Sequence, residues 1–290
     1  MYMSKELLKP KIDLVFHSLF TEENKELLEG LISDILGEEV KVVSTDKDRH
    51  VLIKHPEEKL GILDLRTELE NGTQCNIEIQ LQKEKYEEAR ILYYWADTYT
   101  RQLMRGFKYG GLKKTVSIVI LDHDIEPIKN LEELGTKWQI RDNKTGQKIL
   151  TDRLEIVIIN ISKAEKAYKE NKNDKIAQWL MFLNDPNKKE VRDIMEENEK
   201  IKEAVERLEE ISDNRELRRL AELREKGRRD YEAAIEYATD EGMSKGIERG
   251  AYENSIEIAK KLILRELTIE QIEDITGLNK EEIEKLKVNA

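Results

Sequence analysis

The chain carries a single cysteine, Cys75, in 290 residues, which excludes an intramolecular disulfide framework. Its place in an alternating apolar run marks it as a small core residue rather than a redox centre. The four histidines, His17, His50, His55 and His123, show no zinc-ligand spacing among themselves or with Cys75. No apolar run is long enough to span a bilayer. The N-terminal lysines are followed by no apolar stretch of signal-peptide type. The expectation is a cytoplasmic protein with no membrane partner. A Walker loop, a dinucleotide-binding glycine fingerprint and a Ser-His-Asp order are all missing, so those chemistries are excluded as well.

Charge is plentiful, at 38% of residues, and the formal net charge of -11 argues against a generic nucleic-acid binder. Local distribution differs from the total. Residues 90–114 hold Arg90, Arg101, Arg105, Lys108, Lys113 and Lys114 against Asp97 alone. Tyr93, Tyr94, Trp95, Tyr99, Phe107 and Tyr109 interleave with them. Two readings stand side by side: a helix that contacts phosphates next to an active site, or a core helix whose outer charges are solvated.

The most informative segment is an alternating pair of arms. Asp64, Arg66 and Glu68 share the polar side of the first, and Asn76, Glu78, Gln80 and Gln82 that of the second. A two-residue turn at Asn71-Gly72 would place Asp64 and Glu78 on opposite faces. A three-residue loop, Glu70-Asn71-Gly72 with a left-handed glycine, pairs them directly. Side chains so paired have Cβ atoms about 4.5–5.5 Å apart. Two carboxylates at that distance repel unless a cation lies between them. The pattern suits a metal-dependent phosphodiesterase.

Along the chain, residues 1–40 are helical by spacing, with Gly37 as a stop, and residues 40–82 are strands. A helix over 83–106 ends near Gly106, and a buried strand follows at 115–121. This is an α-β-β-β-α-β order. Further strands around Trp138 and over 154–159 extend the same sheet, and a short helix spans 175–183. Residues 189–262, with almost no proline, are expected to form a long charged helix. Ile194, Ile201, Ala204, Leu208 and Ile211 give it a partial heptad, which leaves a coiled-coil dimer and homo-oligomerisation open. Gly242, Gly246 and Gly250 mark an expected hinge. Thr268 and Gln271 form a capping box before a final helical hairpin. Its second helix carries too many acids to suit a major groove, so protein contact is favoured there over DNA docking. The expected divisions are 1–186, 187–262 and 263–290.

Asp64, the Asn-Gly turn and Glu78-Ile79-Gln80 resemble the PD-(D/E)XK nuclease signature in its variant with Gln at the Lys position. Lys11-Ile12-Asp13-Leu14-Val15-Phe16-His17-Ser18-Leu19-Phe20, Arg90-Ile91-Leu92-Tyr93-Tyr94-Trp95, Gln102-Leu103-Met104-Arg105-Gly106 and the 269–283 segment sharpen the likeness. They are similar to the Rpn family of recombination-promoting nucleases and putative transposases. Two positions depart from the pattern: His17 stands where the family has a basic residue, and Gln80 where the superfamily has Lys. The resemblance implies an α/β fold with a restriction-endonuclease-like mixed-sheet core and a C-terminal helical extension. It implies Mg²⁺-dependent hydrolysis of DNA, with Mn²⁺ as a substitute. Asp64, Glu78 and the Ile79 carbonyl would hold the ion, Gln80 would orient water or phosphate, and Asp13 would hold a second ion or water. Arg101, Arg105 and Lys108 would meet DNA phosphates. The rival expectation is a catalytically inactive nuclease fold kept as an interaction module, and the neutral Gln80 and the acidic total feed it.

Overall fold

The structure, a computed structural model, describes residues 6–45, 65–103 and 108–288. Asp64, Arg105 and Gly106 lie outside them. Helices α1 (Asp13–Leu19) and α2 (Lys25–Leu36) precede β1 (Val42–Thr45), β2 (Leu65–Leu69), β3 (Gln74–Gln80), α3 (Glu87–Thr100) and β4 (Thr115–Leu121). Then come β5 (Gly135–Trp138), β6 (Leu154–Asn160), α4 (Ala164–Glu170), α5 (Lys175–Asn184), α6 (Lys189–Glu197) and α7 (Glu199–Asp213). The last elements are α8 (Arg215–Ile263), α9 (Ile269–Thr276) and α10 (Lys280–Val288). The strands form one mixed sheet in the order β1-β2-β3-β4-β6-β5. β3, β4 and β6 pair in parallel, while the β1–β2, β2–β3 and β5–β6 pairs are antiparallel. The expected α-β-β-β-α-β core and its added strands are present.

Parallel central strands need cover on both faces, and every residue of β4 and β6 is buried. One face presents Cys75 and Ile77 with Val116, Ile118, Ile120, Val157 and Ile159. Helices α1, α2, α5 and α7 close over it with Phe16, Leu28, Leu31, Trp179, Phe182 and Leu208. The buried Trp179 indole is satisfied, its Nε1 donating to Asp34 Oδ2 at 2.8 Å. Helix α2 stops at Gly37, whose φ of 78° suits a residue without a Cβ. Burial, and after it the charge of Glu155, pushes the Cys75 thiol up to about 12. That thiol is an inert core group, as expected. The opposite face is covered by α3, whose Ile91 and Trp95 pack on Val119, Leu121, Leu154, Ile156 and Ile158.

The helical tail differs from expectation. Residues 189–262 are not one helix. Asn198 and Asn214 interrupt the run and cap the helices that follow. Asn198 Oδ1 accepts from the Lys200 and Ile201 amides, and Asn214 Oδ1 from those of Glu216 and Leu217. The partial heptad is not a dimer seam either. Ile194, Ile201, Ala204, Leu208 and Ile211 all lie in the main core of their own chain. The first compact unit therefore runs to residue 226, past the boundary expected at 186. The expected hinge glycines, Gly242, Gly246 and Gly250, lie inside the continuous α8. The second unit, from residue 227, has its own small core of Ala259, Ile272, Leu278 and Ile283. Its α9 carries the expected Thr268–Gln271 capping box and ends on left-handed Gly277. Among the described residues no helix is long and apolar enough to cross a membrane.

Because Leu208 fills the core of its own chain, Leu208→Ala should cost about 2–5 kcal/mol of folding stability. The loss should be the same at low and high protein concentration in urea denaturation. A loss that vanishes at high concentration would return Leu208 to an intermolecular seam.

Candidate active site

The β2–β3 hairpin has the three-residue loop that its alternation demands. The Leu69 amide donates to the Thr73 carbonyl at 2.9 Å, and the Gly72 amide to the Leu69 carbonyl at 2.7 Å. Gly72 has φ 81°, where a side chain would be strained, and Asn71 Oδ1 accepts from the Thr73 amide. Leu65 stands opposite Ile77, Arg66 opposite Asn76 and Glu68 opposite Gln74. Asp64, which precedes this register, is outside the described residues.

Register puts Asn76, Glu78 and Gln80 on one face of β3, level with Ser117, Val119 and Leu121 of β4. Helix α3 returns over that face after Tyr86, a non-glycine residue held in the left-handed region at φ 67°. Glu78 is 1% exposed. A carboxylate so placed needs charge-bearing or donating partners, and Gln80 and Arg90 are among them. Gln80 Nε2 donates to Glu78 Oε1 at 2.7 Å, and Arg90 Nη2 of α3 lies 3.4 Å from the same oxygen. The Gln80 amide must turn its nitrogen to the carboxylate, because its oxygen would repel it. Gln80 Oε1 is thereby left buried without a partner among the described residues, as are Asn76 Oδ1 and Ser117 Oγ.

Arg90 has a second acid, since its Nη1 donates to Glu84. Burial alone would lower the guanidinium pKa, but the Glu84 hydrogen bond and the charges of Glu78 and Glu84 outweigh it and raise it. One turn earlier, the buried Glu87 carboxylate accepts from the Glu84 amide at 2.9 Å and from His123 Nε2 at 2.5 Å. At the far end of α3, Asp97 takes hydrogen bonds from Arg66 and Arg101, each at 2.8 Å. Burial would raise Asp97, yet these two cations hold it below the usual carboxylate range. The interface between α3 and the β2–β3 arms is thus a band of paired charges set into an apolar surround.

The other anticipated residues are dispersed. Asp13 lies on α1, whose Val15 and Phe16 pack on the opposite face of the sheet, and its carboxylate faces Arg224 of α8 at 3.4 Å. Lys11, rather than Asp13, reaches the end of β4, donating to Asp122 and, at the end of α5, to Asn184 at 2.9 Å each. Ile79 turns its side chain to the main core, away from Glu78. Arg101 is half exposed and paired with Asp97, Lys108 is exposed, and Arg105 is outside the described residues. Sequence reasoning did not assign Arg90, Glu84, Glu87 or His123 to the site. The available signal was the acid-acid-base spacing Glu84, Glu87, Arg90 directly after the strand of the signature.

The donors around Glu78 are a carboxylate and neutral side-chain oxygens, the hard set that Mg²⁺ or Mn²⁺ favours and zinc does not. Glu78 and Glu84 share the Arg90 guanidinium. Among the described residues no three His, Cys, Asp or Glu side chains converge as a complete metal site. The oxygen donors present, the Glu78 carboxylate and the Gln80 amide oxygen beside it, are of the kind a hard divalent ion takes.

A mixed sheet threaded α-β-β-β-α-β, with a buried acid and an amide two residues apart on its third strand, defines a PD-(D/E)XK nuclease fold. The chain belongs to the PD-(D/E)XK nuclease family transposases, whose profile matches residues 10–238. No curated protein and no solved structure matches it.

The depressed Asp97 carboxyl contributes stability that is complete above its ordinary pKa of about 3.9 and is lost as pH falls through its lower folded value. Asp97→Asn should therefore destabilise the protein at pH 7 by about 2 kcal/mol, the worth of hydrogen bonds to a charged group. The gap from wild type should narrow as pH falls below the ordinary carboxylate range and close once Asp97 is protonated in the folded protein as well. Urea melts across pH 2–8 test this, and a gap independent of pH would refute the role of the charge.

Proposed function

We propose that this protein is a Mg²⁺-dependent DNA endonuclease, with Mn²⁺ as an effective substitute, that hydrolyses phosphodiester bonds in the service of DNA recombination in the cytoplasm. The single observation that carries the proposal is the buried Glu78 carboxylate, held by Gln80 and Arg90 beside partnerless buried oxygens on the strand of the family signature. An acid is not buried there for stability alone, because an apolar residue would cost less to desolvate.

In this reading Glu78, Asp64 and the Ile79 carbonyl hold the ion, which when bound supplies a Lewis acid and an activated water. Gln80 has two tasks. Its amide nitrogen fixes the Glu78 carboxylate, and its free oxygen orients water. Asp13 serves a second ion or water from α1. Arg101, Arg105 and Lys108 meet DNA phosphates along the end of α3 and the segment after it. The interaction-module reading draws on the neutral Gln80, the acidic total and the internal partners that Glu78 already has.

Cleavage of supercoiled plasmid with Mg²⁺ or Mn²⁺ decides between them. Wild type should cut and should stop in excess EDTA. Asp64→Ala and Glu78→Gln should each lose about a hundredfold or more, several kcal/mol of charge stabilisation. Gln80→Ala should lose less. No cutting by wild type with any divalent ion establishes the interaction module, and cutting that survives in both acid variants places the chemistry elsewhere.

Replacing Arg101, Arg105 and Lys108 together by Gln should weaken DNA binding and reduce the slope of log K against log salt by about 0.9 for each phosphate no longer neutralised. An unchanged slope assigns these residues to packing and solvation.

A further inference from the structure

Resting on the nuclease reading above, we propose that Arg90 is an exchangeable cation of the active site: it neutralises Glu78 while no metal ion is bound and turns to the DNA phosphate once Glu78 ligates one.

The geometry supports both halves. Arg90 projects from the first turns of α3 and divides its two terminal nitrogens between two acids. Nη2 is 3.4 Å from Glu78 Oε1, a long contact for a charge-assisted pair, and Nη1 contacts Glu84. Glu84 is half exposed whereas Glu78 is closed off from water, so the guanidinium spans the boundary between solvent and the buried acid. The guanidinium carbon lies 5.8 Å from the centroid of the Tyr94 ring, which fixes the side chain from the helix side. Nε is buried with no partner among the described residues. A guanidinium fits planar, two-point recognition of phosphate oxygens.

Chemistry demands such a cation. Hydrolysis of a phosphodiester places developing negative charge on the phosphate oxygens, and preorganised positive charge is the means of stabilising it. Gln80, the polar neighbour of Glu78 on β3, is neutral, and Arg90 brings positive charge to the same carboxylate oxygen. A divalent ion and a guanidinium on one carboxylate repel each other, so each weakens the hold of the other. Release of Nη2 from Glu78 leaves Nη1 on half-exposed Glu84 as a pivot, about which the freed edge turns outward from the buried acid to meet the phosphate.

The exchange predicts a crossed signature that a structural ion pair does not give. Ca²⁺, a hard cation with oxygen ligands, is the probe, and binding is read by fluorescence anisotropy with a labelled DNA duplex. In Ca²⁺, Arg90→Gln should bind DNA about tenfold more weakly than wild type. In EDTA, where Arg90 is engaged with Glu78, the two should bind alike. By calorimetry without DNA, Arg90→Gln should bind Ca²⁺ several-fold more tightly, because a competing charge has gone. Equal losses of DNA affinity with and without Ca²⁺, or no loss in either, overturn the proposal, as does weaker or unchanged Ca²⁺ binding. If Arg90→Gln fails to fold by circular dichroism, Arg90→Lys carries the same comparison. It keeps the charge but cannot hold Glu78 and Glu84 with separate nitrogens, so both effects should appear at reduced size. The two readings can fail separately. The crossed signature in a wild type that cuts no DNA sinks the nuclease and keeps the exchange. Cutting without the signature keeps the nuclease and sinks the exchange.

Discussion

Removing a carboxylate from water costs several kcal/mol unless partners replace its hydration, and Glu78 imposes that cost at the centre of the sheet. Much of the second face of the molecule follows from it. Strand β3 cannot be capped there by a mainly apolar helical surface, as the opposite face is. It is capped instead by α3, a helix with two stripes. Glu87, Arg90, Tyr94, Asp97 and Arg101 recur at alternating spacings of three and four residues, the repeat of one helical face. Ile91 and Trp95 lie beside them on the apolar stripe. The polar stripe meets Arg66, Glu78 and His123, and the apolar one meets the side chains of β4 and β6. One helix thus seals a hydrophobic core and solvates a row of charges.

This division explains why the two faces differ in character. The face under α1, α2, α5 and α7 is packed with large apolar groups, and a polar anchor within it, Trp179 on Asp34, satisfies an indole. The face under α3 carries polar oxygens that no described residue satisfies, at Asn76, Gln80 and Ser117. Unsatisfied buried polar atoms are rare in folded proteins and each one calls for an explanation. They gather around one acid, on the face that α3 covers.

The legible parts of the sequence were those governed by local rules. Strict alternation identified the hairpin arms and the face of Glu78. Gly37 and the Thr268–Gln271 pair announced helix ends. Parity picked the three-residue loop, which Gly72 and the Leu65–Ile77 register bear out. The obscure parts depended on distant partners. Nothing local to Arg90 says that it will meet an acid twelve residues earlier on a strand. Nothing local to Leu208 distinguishes a dimer seam from a stripe buried in its own chain. The caps at Asn198 and Asn214 were readable in kind, since asparagine favours such positions. They were masked by a continuous run of charged helix formers on both sides. The partner of Asp13 was equally hidden: Arg224, more than two hundred residues away, faces its carboxylate at 3.4 Å.

The loop at Glu70-Asn71-Gly72 has a consequence for how this chain can diverge. Strand side chains alternate with a period of two, so a change of one residue in the turn would exchange the faces of an entire arm. Arg66 would leave Asp97 for the apolar core, and Thr67 and Leu65 would take its place under α3. Point substitution in the loop leaves this parity untouched, whereas a single-codon insertion or deletion reverses it. Drift in the turn is therefore constrained in length far more than in composition. An alignment gap there would mark a chain in which the charged band beneath α3 has been dismantled or rebuilt.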